Sequence, residues 1–97
     1  MTAAAAAMAQ EHFLDVRELE PPEPLEQALA ALRTLRPGDY LRMLHRREPF
    51  PLYRLLEQDG FRYVTRDSAA SPFEILIWRT DDAAAERAVR QLIDAAP

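Results

Sequence analysis

The chain has no cysteine. That absence removes disulfides, thiolate metal ligation and thiol catalysis together. It has no apolar run of the ~18 residues that a membrane-spanning helix needs. It also has no excess of basic charge. Twelve Lys and Arg against 16 Asp and Glu leave a formal net charge of -4, so the whole molecule repels nucleic acid and anionic membranes unless its basic residues cluster. The opening "MTAAAAAMAQ" carries no Lys or Arg before its alanine run and lacks the charged start of a signal peptide. A cytoplasmic location is therefore the expectation. No internal repeat and no interdomain linker interrupts the chain.

What is present reads as one soluble domain. Hydrophobic residues make up 48% of 97 and charged residues 29%, enough to bury a core and too apolar for a disordered chain. "HFLDVR" (His12 to Arg17) reads as a strand with Leu14 and Val16 on its buried face. Leu25, Ala28, Leu29 and Leu32 then recur at helical spacing, each leucine worth about 1.5–3 kcal/mol when buried. Arg33 and Arg36 stand near that helix's C-terminal end, where the dipole favours cations, and Pro37-Gly38 stops it. "DYLRMLH" (Asp39 to His45) alternates Leu41, Met43 and His45 against Tyr40, Arg42 and Leu44, a strand pattern. A second helix begins within "EPFPLYRLLEQDG", with Leu52, Leu55 and Leu56 as its stripe and Gly60 in the left-handed terminal position.

"FRYVTR" (Phe61 to Arg66) and "FEILIWR" (Phe73 to Arg79) are strands by β-branched and aromatic content, joined by a flexible "DSAASP" loop. "TDDAAAERAVRQLIDAA" closes as a helix capped from Thr80, Asp81 or Asp82, with Ala85, Val89, Leu92 and Ile93 on one face. The order β-α-β-α-β-β-α predicts an α/β (α+β) fold: a mixed four-stranded sheet with the first two helices on one face. Residues 1–11 are expected as a mobile alanine-rich tail and 12–79 as the domain. Residues 80–97 are expected as a helix packed on the domain or at a dimer interface. Tyr40, Leu44, Leu76 and Trp78 point away from the first two helices. The Ala85, Val89 and Leu92 stripe is their expected cover, and a partner surface is the alternative.

Two stretches are candidates for chemistry. Pro21-Pro22-Glu23-Pro24 reads first as a rigid cap. Pro24 fits the first helical turn, Pro21 and Pro22 hold the incoming chain extended, and Glu20, Glu23 and Glu26 sit at the positive end of the helix dipole. On that reading Pro24→Ala costs little, whereas Leu29→Ala costs about 2–5 kcal/mol. "HRREPFPLY" is the stronger functional candidate. It leaves a strand and enters a helix, where an anion meets backbone N–H groups, with His45, Arg46, Arg47 and Glu48 as ligand-binding residues. Pro49 and Pro51 subtract two donors. A metal set of His45, His12, Asp15 and Glu48 matches no compact ligand spacing, so no metal and no cofactor is assigned. Arg33, Arg36, Arg42, Arg46, Arg47, Arg54, Arg62 and Arg66 are read as mostly a solvated face. With Phe61, Tyr63 and Trp78 they do not make a nucleic-acid surface against the negative balance.

Three strings carry a family resemblance: "LDVRELEPPEPLEQALAAL", "PGDYLRMLHRREPFPLYRLLEQDGF" with its His-x-x-acid-Pro-x-Pro-Leu stretch, and "EILIW". Over residues 12–79 the chain resembles the domain-of-unknown-function 2249 family, related to sulfur carriers of the TusA/SirA type. The resemblance implies their two-layer β-α-β-α-β-β sandwich. Sulfur carriers place a reactive cysteine immediately before Pro-x-Pro at the start of the first helix. Here Pro22-Glu23-Pro24 matches Pro-x-Pro, and Pro21 stands in the cysteine's place. Proline has no nucleophile, so persulfide transfer is excluded there. The resemblance also suggests a setting beside hemerythrin-like and other metal- or redox-associated domains. No nucleophile–base pair or acid pair supports an enzyme. The expectation is a non-catalytic interaction or ligand-binding module with a protein partner or a second copy, a small anion as ligand, and neither nucleic acid nor membrane. The alternative is a metal- or anion-binding redox accessory protein using His45 to Glu48.

Overall fold

The computed structural model describes residues 9–69 and 71–95; most of the expected N-terminal tail lies outside the described residues. The elements follow in the order β1 (Glu11–Asp15), α1 (Glu23–Leu32), β2 (Tyr40–His45), α2 (Phe50–Gln58), β3 (Phe61–Arg66), β4 (Phe73–Arg79) and α3 (Ala83–Ala95). They build a mixed four-stranded sheet of order β1-β2-β4-β3. β1 and β2 are parallel, with α1 as the crossover, and the β2–β4 and β4–β3 pairs are antiparallel. β1 starts one residue before the expected His12 and stops two before Arg17. The cause is local: the Arg17 N–H and guanidinium both bond the Asp15 carboxylate, at 3.1 and 2.8–2.9 Å, which turns the chain out of the sheet. Val16 still donates to the Leu44 carbonyl at 3.0 Å and is fully buried.

Alternation along the strands divides the core into two. On one face, α1 and α2 lay Ala28, Leu32, Leu52, Tyr53 and Leu56 over Leu41, Met43, Ile75 and Ile77. Leu25, Leu29 and Leu55 are only half-buried, so the stripes run through Ala28–Leu32 and Leu52–Leu56. Tyr53 joins by stacking on Tyr63, ring centroids 4.4 Å apart. Arg33 is the C-cap of α1, and Arg79 of β4 bonds the carbonyls there, donating to Leu32 and Leu35 at 3.5 and 3.3 Å.

On the other face, α3 sets Ala85 and Val89 over Tyr40, Leu76 and Trp78. Asp82 fixes where α3 begins. One carboxylate oxygen accepts the Ala85 N–H at 3.0 Å as a cap. The other accepts the Gly38 N–H at 2.7 Å, tying the helix to the turn before β2. That turn needs glycine, because Gly38 has φ 92°, and Gly60 at φ 82° ends α2 in the left-handed conformation expected of it.

The part of this face beyond α3 is held by charge. Glu74, 2% exposed, is clamped by Arg42 at 2.6 Å and Arg66 at 2.5 Å. Arg42 also reaches Glu11 at 3.0 Å and lies 4.7 Å over the Phe13 ring. Arg42 and Arg66 therefore leave the expected solvated face, whereas Arg33, Arg36, Arg46, Arg47, Arg54 and Arg62 are exposed.

Candidate functional site

Parallel neighbours leave a sheet at the same end. The chain therefore exits β1 and β2 side by side, and the Pro21–Pro24 and His45–Glu48 stretches meet although they are far apart in sequence. Each then enters a helix with proline in its first turn. The Pro21–Pro22 peptide bond is cis. Between the loops lies a cleft of about 370 Å³. Pro21, Pro22, Pro24 and Leu25 form one wall, and His45, Arg47, Glu48, Pro49 and Pro51 the other, with Met43 and Leu52 between them. The lining is overwhelmingly apolar.

Not every candidate residue faces this space. Glu23 and Arg46 are absent from the lining. Arg46 instead donates to Glu20, an ion pair that links the second loop to the first and holds the Glu20 carboxyl below the usual carboxylate range. The sequence reading missed Met43, Leu25 and Leu52 as part of the site, having assigned them to core stripes alone.

His45 is nearly buried, at 9% exposure. Its carbonyl accepts the Ser71 hydroxyl at 2.7 Å, which anchors the end of β2 to the loop before β4. Its ring nitrogen Nδ1 lies 3.1 Å from the Arg47 backbone nitrogen. A backbone N–H can only donate, so Nδ1 must hold a lone pair, and in the neutral ring the proton sits on Nε2. Burial pushes the His45 pKa down, and the positive Arg46 and Arg47 beside it push the same way. The ring thus offers an Nε2–H donor rather than a base. Arg47 is exposed, and its guanidinium makes no ion pair among the described residues. Glu48 accepts the Tyr53 hydroxyl at 3.1 Å, and that hydroxyl also meets Thr65 at 2.5 Å.

One expectation changes here. The start of α2 offers no backbone cradle for an anion. The Phe50 N–H bonds the Glu48 carbonyl at 3.0 Å, those of Leu52 and Tyr53 bond the Pro49 carbonyl at 3.0 and 3.3 Å, and Pro51 has none. Anion contacts are left to side chains. Nor does the His45, His12, Asp15 and Glu48 set come together. His12 lies toward the opposite end of the β1–β2 pair and donates to Asp39 at 2.8 Å, while Asp15 is held by Arg17. Among the described residues, no group of three or more His, Asp or Glu is placed to hold a metal ion. The cleft lining contains no serine, threonine, tyrosine or lysine that could act as a nucleophile.

No curated protein and no solved structure matches this chain. The model of one family, DUF2249, described as an uncharacterized conserved protein, matches residues 13–79, which take in both loops, α1, α2 and all of the sheet but the first two residues of β1. The chain belongs to the DUF2249 family.

Proposed function

We propose that this protein is a non-catalytic module that binds a small ligand in the cleft between its two proline-bounded loops. The observation that supports this is the pairing of an apolar cleft with two uncommitted donors at its edge, the Arg47 guanidinium and the His45 Nε2–H. Its volume of about 370 Å³ lies at the small end of the range for ligand sites. The resemblance to sulfur carriers fits the place and not the chemistry, since Pro21 lines the cleft where their cysteine would stand and brings no thiol. The same reading takes the protein as cytoplasmic. No helix among the described residues is long and apolar enough to cross a membrane.

A redox accessory role remains a second reading only in its anion-binding half, which the unpaired Arg47 favours. A partner protein or a second copy is the other occupant to consider, because Phe50, 63% exposed, stands at the start of α2 next to the cleft-lining Pro49 and Pro51. Amide chemical-shift mapping against a mixed set of neutral and charged small fragments tests the reading. Shifts concentrated on Leu25, Met43, Arg47 and Leu52 are expected. Shifts scattered over the surface, or centred on α3, would remove the cleft as the site.

A further inference from the structure

The polar groups at the cleft constrain what it can hold. Both donors belong to residues that line the cleft and stand two positions apart on one loop, where the Arg47 backbone N–H bonds His45 Nδ1 and leaves Nε2 to carry the proton. A guanidinium offers two parallel N–H groups, and His45 adds one more from Nε2. That set matches the two oxygens of one carboxylate. It leaves a phosphate short of donors, although a guanidinium alone can pair with either anion. A phosphate brings more oxygens and more charge, and helix N-termini usually supply its backbone donors. Here the first-turn donors of α2 are spent on the Glu48 and Pro49 carbonyls, and the prolines supply none. Glu48 stands on the same wall as Arg47, and its carboxylate, held by the Tyr53 hydroxyl, adds a nearby negative charge that weighs more against a dianion than a monoanion. The remaining lining is hydrocarbon, which leaves the rest of the ligand nothing polar to meet.

We propose that the cleft selects a small monocarboxylate with a short apolar body, its carboxylate held by Arg47 and the His45 Nε2–H and its body lying on Pro22, Leu25, Met43 and Leu52. This rests on the reading of the cleft as the ligand site. Glu48 acts as the filter against dianions. The ordered prolines keep the body short, because the cleft is small and its walls do not adapt.

The test titrates the full chain with three probes, pentanoate, pentanamide and inorganic phosphate, and follows the methyl signals of Leu25, Met43 and Leu52. The same titrations are repeated on Arg47→Ala. That residue is exposed and unpaired, so the variant keeps the wild-type spectrum away from the cleft. Pentanoate is expected to bind in the millimolar range appropriate to so small a molecule. It should bind about tenfold or more tightly than pentanamide, the scale of a charge-assisted hydrogen bond, and lose that advantage in Arg47→Ala. Equal binding of pentanoate and pentanamide, unchanged in Arg47→Ala, overturns the carboxylate assignment and leaves the cleft as an apolar site. Displacement of pentanoate by an equal concentration of phosphate also overturns it. No methyl shift with pentanoate or pentanamide overturns this proposal and the cleft reading together.

Discussion

Glu74→Gln is the substitution from which most can be learned about how this sheet holds together. The carboxylate is 2% exposed on the second face of the sheet, and two arginines from the flanking strands close on it. Glutamine keeps the volume and removes the charge, so packing is not the variable. Of the two arginines, Arg42 retains Glu11, but Arg66 is left without a carboxylate. Breaking one side of a fully buried pair costs about 3–5 kcal/mol. Both arginine side chains are about a quarter exposed and can regain some water, so the expected loss is about 2–3 kcal/mol. For a chain of this length that lowers Tm by about 10–20 °C.

The assay is thermal and urea unfolding by circular dichroism, repeated across pH. Burial raises the Glu74 pKa, but the hydrogen bonds and charges of Arg66 and Arg42 outweigh it, and the net shift is downward from 4.5. A carboxyl whose folded pKa is depressed contributes its stability fully above the unfolded value and loses it as pH falls through the folded one. The gap between wild type and Glu74→Gln should therefore be constant above pH 4.5 and close in acid. In a double-mutant cycle, Arg66→Met should cost much less in the Glu74→Gln background than alone. A loss below about 0.5 kcal/mol, the size of an exposed pair, would refute the clamp. So would a gap that does not depend on pH.

Two other outcomes follow from single contacts. Asp82→Ala removes the cap of α3 and leaves the Gly38 N–H without its 2.7 Å acceptor. A loss of about 1–2 kcal/mol is expected, with the fluorescence of Trp78, the single tryptophan, shifting to the red as α3 loosens; unchanged emission would detach the cap from that face. His45 has its folded pKa below the ordinary 6.5, so its neutral form contributes stability fully above pH 6.5, and this is lost as pH falls through the folded pKa. The decline in Tm below pH 6.5 should be shallower in His45→Gln than in wild type, and identical slopes would refute the buried neutral ring.

The elements were legible because each carried its own local signal. Alternation marked β2, β-branched and aromatic content marked β3 and β4, Pro-x-Pro and Pro-Gly bracketed α1, and Gly60 closed α2. The layers were legible too, since the Ala85 and Val89 stripe covers Tyr40, Leu76 and Trp78 as expected; what failed was the burial and pairing of particular side chains. Leu29 was read as a main core contact at helical spacing, yet it is half-buried while Leu32 is 4% exposed, because α1 is rolled to bring Ala28 and Leu32 down on the sheet. Pro24, read as a cheap cap, is buried as well as lining the cleft. Arg42 and Arg66 looked like two of many surface arginines, since only the β2–β4–β3 register puts them on either side of Glu74. The site was half visible. Both loops stood out as proline-bounded helix starts, and a parallel β1–β2 pair joined by one helix would have placed them at the same end of the sheet.

On the proposed reading of the cleft as a ligand site, its prolines bear on what specificity would rest upon. Five of its eleven lining residues are proline: Pro21, Pro22, Pro24, Pro49 and Pro51. Each has a fixed φ and almost no side-chain freedom, so the walls lose little entropy when a ligand arrives. Each also lacks an N–H, so the rigidity comes with a loss of backbone donors from both loops. A rigid wall without donors discriminates by shape, and any recognition of charge must come from the few polar side chains left. Glu48 is engaged with Tyr53, and Arg46 with Glu20. His45 and Arg47 remain. Pro21, Pro22 and Pro24 thus extend the apolar wall and add no donor to it, which leaves His45 and Arg47 of the opposite loop as the polar groups a ligand would meet.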